Sequence, residues 1–340
     1  MSTIKDIAKH ADVSVATVSY VLNNNRYVSP EKKERVLAAI RELNYAPNAA
    51  ARGLRARESR TIGLIVSDIS NPFYPDLAKG CEDEAQKHGY AVHMINTNDQ
   101  PERMRQAAAQ AREGKIDGLI VTSALEADRE LLQSLRERGF PLVLAHRRLE
   151  GLDADLVESD NFEGGLMAAR HMLRMGHRRI AFMSGVAGSP TSKLREEGYR
   201  QAMKEAGIDV PPVWTLSGEA KYTASYERML GYADMPPDER PTAVINMSDV
   251  GAMGVLDAAA DRGLRVPEDV AVMGFDDLFL AAFRSVRLTT VRIPRYELGR
   301  RATELLLERL SEASRDARHV VLPVELIVRG TCGGEQANRI

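Results

Sequence analysis

From Thr61 onward the chain repeats one pattern, a short apolar run followed by a helical stretch closed by glycine. The runs at 62–66, 91–95, 118–121, 142–145, 180–183, 243–247 and 270–274 read as strands. The helical stretches between them end at Gly89, Gly114, Gly139, Gly176, Gly207 and Gly263. Glycine there accepts the left-handed turn that closes a helix. A strand that returns through a helix re-enters its sheet in parallel, and the helix covers one sheet face. The fold class is therefore α/β, with parallel sheets flanked by helices. Residues 61–340 are too many for one doubly wound sheet, which predicts two lobes with a ligand cleft at the carboxyl ends of the strands.

Residues 1–60 have a different character. The whole chain carries 46 Lys and Arg against 48 Asp and Glu, a net charge of -2. Residues 1–60 nevertheless hold a net +5 and the remainder a net -7, so a small basic head on an acidic body suits a polyanion. Thr3 and Asp6 form a capping-box-like helix start, and Ile4, Ile7, Ala8 and Ala11 recur at helical spacing. Asp12-Val13-Ser14 makes a turn, with Ser14 able to cap a second helix whose inner face is Val18, Val21 and Leu22. Its outer face begins with Val15, Ala16, Thr17, Ser19 and Tyr20, too apolar for a routine solvated surface. Methyls that meet thymine and hydroxyls that meet phosphates or base edges are what a major-groove helix presents. A third helix follows Ser29 and Pro30, with Val36, Leu37, Ile40 and Leu43 on one face. The pattern is a three-helix helix-turn-helix head; a plain helical subdomain is the alternative, disfavoured by the charge.

In residues 46–57, Pro47 ends the third helix and Asn48 can cap another of about two turns. That is well short of the roughly 12–15 residues an isolated helix needs in water, and Gly53 costs a further ~1 kcal/mol relative to alanine. Such a segment folds only when docked. Leu54 among Arg52, Arg55 and Arg57 has the composition of a minor-groove wedge flanked by phosphate contacts; a charged linker with an incidental leucine fits the segment alone equally well.

These motifs carry a resemblance. Thr3-Ile4-Lys5-Asp6-Ile7-Ala8, Val13-Ser14-x-x-Thr17-Val18-Ser19-x-Val21-Leu22-Asn23, Tyr45-x-Pro47-Asn48 and Ala51-Arg52-x-Leu54 resemble the head and hinge of the LacI/GalR family of bacterial transcription regulators. The resemblance continues through Asp160-Asn161-x-x-Gly164-Gly165, Glu197-Gly198-Tyr199, Gly274-Phe275-Asp276-Asp277 and Leu288-Thr289-Thr290-Val291. It implies a DNA-binding head at 1–47, a hinge helix and linker at 48–60, and a periplasmic-binding-protein-like core for effector binding and dimerisation at 61–340. Within that core it implies a first lobe of about 61–160 plus 293–320 and a second of about 161–292 plus 321–335. Val15, Ala16 and Tyr20 are then base readers and Leu54 a wedge pushed into a central base step. Thr17, Ser19, Asn23 and Arg52 hold backbone or register, and Thr3 and Ser14 complete the expected DNA-binding set.

Polar residues end the strands of the body: Ser67-Asp68, Ser123, His146-Arg147-Arg148, Ser248-Asp249 and Asp276-Asp277. Converging arginines and carboxylates suit a hydroxyl-rich ligand, whose apolar C–H face a ring can cover. Each position taken singly is equally at home as a strand-end cap or rim ion pair. By resemblance, Phe73 and Tyr74 wall the pocket, Arg195 and Asp276 grip the effector, and Thr191, Arg147 and Ser248 line it, beside Ser123 and His146. His146 stands where the family commonly has aspartate, and Ser248 where it commonly has asparagine. Ala220 replaces an aromatic residue of some members, leaving ring stacking to Phe73 or Tyr222. The expected effector is a sugar or sugar derivative, with a sugar acid, a sugar phosphate or a nucleobase corepressor as alternatives.

The exclusions complete the reading. There is no GxSxG, no GxGxxG after the first strand, no Walker A and no HExxH, so neither an enzyme nor a catalytic residue is expected. Cys81 and Cys332 form no CxxC, and the histidines fall at no ligand spacing except His171 and His177, six apart and off one helical face, so no metal or cofactor is expected. No apolar run approaches a membrane span and the start lacks a signal peptide, which predicts a cytoplasmic protein. Residues 331–340 carry no leucine heptad, so a homodimer rather than a tetramer is expected on operator DNA.

Overall fold

The computed structural model describes residues 2–23, 26–45, 58–215 and 221–334. The expected hinge helix, with Arg52 and Leu54, lies outside the described residues. The chain divides into two compact units, Met1–Ser59 and Arg60–Ile340.

The first unit holds α1 (Ile4–His10), α2 (Val15–Asn23) and α3 (Pro30–Glu42). The capping box forms as the sequence implies: Thr3 Oγ1 accepts from the Asp6 amide, and the Asp6 carboxylate accepts from the Thr3 amide at 2.8 Å. Ser14 Oγ accepts from the Thr17 amide at 3.1 Å, starting α2. Ile7, Ala8, Ala11, Val18, Val36 and Ala39 make the core, with Val13, Val21 and Leu22 packed around it. Two details differ from the sequence reading. Ser29 occupies the cap position of α3 without a side-chain cap bond, leaving the start to Pro30. Leu37 is 40% exposed, and Ala39 takes the inward place because α3 packs against both other helices.

The second unit contains two sheets. Strands β1 (Thr61–Val66), β2 (Ala91–Asn96), β3 (Gly118–Val121), β4 (Leu142–Ala145) and β5 (Asp155–Ser159) join β10 (His319–Leu322) in the order β10-β5-β4-β3-β1-β2, every pair parallel. Strands β6 (Ile180–Met183), β7 (Ala243–Asn246), β8 (Ala271–Asp276) and β9 (Thr289–Arg292) run parallel in the second sheet, and β11 (Glu325–Ile327) adds an antiparallel edge to β9. The helices are α4 (Phe73–Lys87), α5 (Pro101–Arg112), α6 (Arg129–Glu137), α7 (Asn161–Arg174), α8 (Pro190–Glu205), α9 (Tyr222–Ala233), α10 (Asp249–Asp261) and α11 (Arg295–Ser311). All six predicted helix-closing glycines adopt positive φ, between 67° and 92°.

The chain crosses between sheets three times. After β5 it enters α7, which packs on α8; after β9 it enters α11, which packs on α4 and on β3, β4 and β5. The last crossing falls at residues 323–324, since β10 belongs wholly to the first sheet. A division at 320 would cut that strand. Among the described residues no helix is long and apolar enough to cross a membrane.

Candidate functional site

In the head, α2 presents Val15, 38% exposed, and an exposed Ala16 at its start, with Thr17, Ser19 and Tyr20 half-buried beside them. Methyls thus stand forward at the end of the helix that enters a groove first. Arg26 lies 5.3 Å over the Tyr20 ring and 3.4 Å from its hydroxyl. The turn before α2 is clamped from α3: Arg35 donates to the Ala11 carbonyl at 2.9 Å and the Asp12 carbonyl at 2.8 Å. Asp12 itself sits at φ 50°. Nothing in the spacing of Arg35 announces that role. Thr3 and Ser14 use their hydroxyls at helix starts. Asn23 ends α2.

In the body, the expected effector residues gather where the carboxyl ends of β1, β3, β4 and β8 meet the amino ends of α4, α8 and α10. Phe73 and Tyr74 open α4 and are buried; the Phe73 ring lies 4.6 Å from His146, and the Tyr74 hydroxyl bonds Ser67 at 2.6 Å. Thr191 Oγ1 reaches across the cleft to donate to the His146 carbonyl at 3.2 Å. Arg195, 1% exposed, donates to Asn161 Oδ1 at 3.0 Å and to the Met247 carbonyl at 2.7 Å. Its guanidinium stands 4.5 Å over the Phe275 ring and 4.0 Å from Asp276.

Other expected residues are committed elsewhere. Arg147 is paired with Asp99, through two nitrogens at 2.7 and 3.3 Å. Ser123 shares a 3.2 Å hydrogen bond with Thr97, and Ser248 caps α10 by accepting from the Gly251 amide at 3.0 Å. Tyr222 does not reach the pocket: it sits on α9, 41% exposed, donating to Asp257 at 2.6 Å and stacked near Tyr226.

Backbone strain marks the same strand ends. His146 holds φ 67°, Asp276 φ 107° and Asp277 φ 52°, unusual for residues with a Cβ and typical of functional sites. Burial pushes the Asp276 carboxyl up to about 6, against the pull of Arg195 and Arg295. Burial, then the Asp276 charge, raises the Asp249 carboxyl well above its ordinary value, although Thr290 and the Leu278 amide donate to it at 2.6 and 2.7 Å. Burial, then Arg195 and Arg147, hold the His146 imidazole well below its ordinary value, so it is neutral. Asn161 and Arg295 belong to this cluster and were not singled out from the sequence; Asp249, named there only as a strand-end residue, belongs to it as well. Asn161 and Asp249 lay inside or beside the quoted motifs, a signal that could have found them. A groove of about 770 Å³ opens beside the cluster, its walls including Arg148, Pro190 and Ser192, the chain neighbours of Arg147 and Thr191.

Residues 3–48 match the model of bacterial regulatory proteins of the lacI family, and residues 169–332 a periplasmic binding protein-like domain. The HTH-type transcriptional repressor PurR of Pasteurella multocida is 34% identical over 329 residues, covering 97% of this chain and 98% of that protein. The chain belongs to the LacI family. Another relative of that family type, the ribose operon repressor of Escherichia coli K12, is 35% identical over 97% of this chain and 100% of its own length. A structure of the lac repressor dimer bound to operator and an anti-inducer covers 97% of this chain and 99% of its own, with TM-score 0.86 at 25% identity. A cellobiose complex of the regulator CelR gives TM-score 0.74 at 30% identity, over 97% and 100% of the two chains. This LacI-family chain is a DNA-binding transcriptional regulator with an effector-binding body.

The helix pair that carries Arg195 gives a direct test of how tightly that body is built. A Cβ on Gly165 of α7 would stand 1.9 Å from the Arg195 carbonyl, and one on Gly198 of α8 2.1 Å from the Phe162 carbonyl. Backbone cannot yield as a side-chain tip does. Gly165→Ala is expected to cost about 1–3 kcal/mol or more and to displace Arg195. Gly231→Ala, on α9 with open space around it, is expected to gain up to about 1 kcal/mol. Thermal denaturation of the two variants checks the contrast; equal effects would sink it.

Proposed function

We propose that the protein is a cytoplasmic homodimer that represses transcription by binding a pseudo-palindromic operator, under the control of a small effector in the interlobe cleft. It is not an enzyme. One observation carries the reading: a helix-turn-helix head with its methyl-bearing α2 start exposed shares a chain with a two-lobed body whose strained strand ends surround a buried Arg195–Asp276 pair. Val15, Ala16 and Tyr20 read base edges, the hinge residues Arg52 and Leu54 engage the minor groove, and Phe73, Tyr74, His146, Thr191, Arg195 and Asp276 receive the effector. Ser123, Arg147 and Ser248 support that pocket through their own bonds rather than touching the ligand first. The head at 1–47, hinge at 48–60 and core at 61–340 act as separate working parts.

The dimer has an apolar surface to draw on. Phe279 and Phe283, 66% and 48% exposed with rings 5.7 Å apart, form a patch that a second copy would cover. The effector is a sugar or sugar derivative: it biases the angle between lobes, and thereby the spacing of two hinges that are marginal alone. A coupling of about 1–3 kcal/mol suffices to engage or release DNA. Selection of a preferred duplex from a random library, followed by titration at several salt concentrations, tests the reading. A two-fold symmetric site bound by a dimer, with affinity falling steeply as salt rises, is expected. No preferred sequence, or binding as a monomer, would overturn it.

A further inference from the structure

Among the described residues, His146 Nδ1, Arg195 Nη2 and Arg295 Nε are buried without a hydrogen-bond partner. They come from three distant parts of the chain, the end of β4, α8 and the start of α11, and they belong to one neighbourhood. Arg195 Nη1 is 4.0 Å from Asp276 Oδ1, Arg295 Nη1 donates to the Asp276 carbonyl, and the His146 ring feels the Arg195 charge. Arg295 is held by Asp76 at 2.7 Å and by the Asp277 carbonyl at 3.3 Å, so its guanidinium is fixed while Nε keeps its N–H without an acceptor. A buried donor on a cation is costly to leave unmade. Two of them beside a ligand cleft are groups prepared for an acceptor.

The charges decide which acceptor. Arg147, the cation that the sequence places first at this strand end, is quenched by Asp99. Arg195 faces two carboxyls, Asp276 and Asp249, both pushed upward by burial, and a neutral imidazole; Arg295 faces Asp276 as well, and its firm ion pair is to Asp76, whose side chain is more than half exposed. The neighbouring Asp277 is taken by Arg292 and Arg329 at 2.8 and 2.6 Å. Arg195 therefore has no firm anion of its own in the interior, and Arg295 has only Asp76 at its outer side.

We propose that the effector carries an anionic oxygen group, a carboxylate or a phosphate monoester, gripped by Arg195 Nη2 and Arg295 Nε, and that Arg295 is a specificity-determining residue. His146 takes a neighbouring hydroxyl. This rests on the reading of the interlobe cleft as the effector site.

The test is calorimetry on the full chain with matched probes: D-ribose and D-ribose 5-phosphate; D-glucose, D-gluconate and D-glucose 6-phosphate; D-galactose and D-galacturonate; and inorganic phosphate. At least one acid or ester is expected to bind about tenfold or more tightly than its neutral parent, the gain of charge-assisted hydrogen bonds. The carboxylate and ester arms separate the two sources of the anion. Arg295→Met is expected to abolish the preference, and Arg295→Lys to reduce it because lysine lacks the planar second donor. Asp76→Asn, which removes only the outer ion pair, is expected to keep it; loss there too would make Arg295 merely structural.

The wild-type pH profile needs no variant. An anion beside Asp276 favours its protonated form, so binding of a sugar carboxylate strengthens as pH falls from 8 towards 6. A neutral sugar gripped by the Asp276 carboxylate weakens over the same range. Neutral parents binding as tightly as the acids, no probe exceeding inorganic phosphate, or the opposite pH trend would each overturn the proposal. Operator titration of the same protein without probes judges the regulator reading separately.

Discussion

Replacing Asp155 by alanine is expected to destabilise the body by about 3–5 kcal/mol, the cost of leaving buried charge uncompensated. Asp155 opens β5 and is wholly buried. It accepts from Arg309 at 3.0 Å, from Arg315 at 2.7 and 2.9 Å, and from the Arg318 amide at 2.9 Å. The Arg309 and Arg315 side chains are themselves only 3% and 7% exposed. Without the carboxylate, two guanidiniums face each other in a dry space, and the amide that leads into β10 loses its acceptor. That strand is the edge of the first sheet, paired to β5 alone, and the third crossing follows it. At about 2–4 °C per kcal/mol, the melting point should fall on the order of 10 °C. Asp153→Ala is the control: its carboxylate is 81% exposed and 3.5 Å from Arg136, and such exposed pairs contribute about 1 kcal/mol at most. Calorimetric melting of both variants gives the answer, and an Asp155→Ala loss below about 1 kcal/mol would count against a buried, mutually dependent triad.

Asp155 also shows where the sequence stops being readable. Strands β1, β3, β4 and β6 are buried on both faces, so they appear as unbroken apolar runs. β5 reads Asp-Leu-Val-Glu-Ser, with both carboxylates inside. Glu158 is bonded by Arg148 and by His319, the latter at 2.7 Å. Arg309, Arg315 and His319, each more than 150 residues away, help make these polar residues acceptable in a core, and no local pattern carries that information. β9 and β10 are no shorter than β3 or β4, but β9 reads Thr-Thr-Val-Arg rather than as an apolar run, and β10 and β11 are edges whose residues are exposed or half-buried. The site divides similarly. Arg195 and Asp276 follow from the family motifs, whereas the left-handed backbone at His146 and Asp276 leaves no trace in residues that are not glycine. Arg295 was invisible because a sequence does not show that its Nε stays buried without an acceptor.

Leu54→Ala is expected to weaken binding to the preferred operator roughly a hundredfold, equivalent to about 2.7 kcal/mol, while changing nonspecific binding little. By its sequence, the expected hinge has room for about two turns and contains Gly53, too little for a helix expected to stand in water by itself. It gains order only if docking repays the entropy of fixing it, and an aliphatic wedge that opens a base step supplies the contact that does so. On a duplex lacking the right central step, unstacking is dearer and the head binds through phosphates alone, so the leucine contributes nothing there. The salt slope separates the two kinds of hinge residue. Leucine releases no counterions, so its loss leaves the slope unchanged; Arg52→Ala should lower affinity on every duplex and reduce the slope by about one. On the proposed function the same marginal balance would let a distant ligand matter, since a fully stable hinge would ignore a few kcal/mol applied at the cleft and one with no docking contact could not respond at all. Fluorescence titration on preferred and scrambled duplexes at several salt concentrations distinguishes these cases. Equal losses on both DNAs for Leu54→Ala would remove the wedge, and with it the proposed route by which the cleft controls the head.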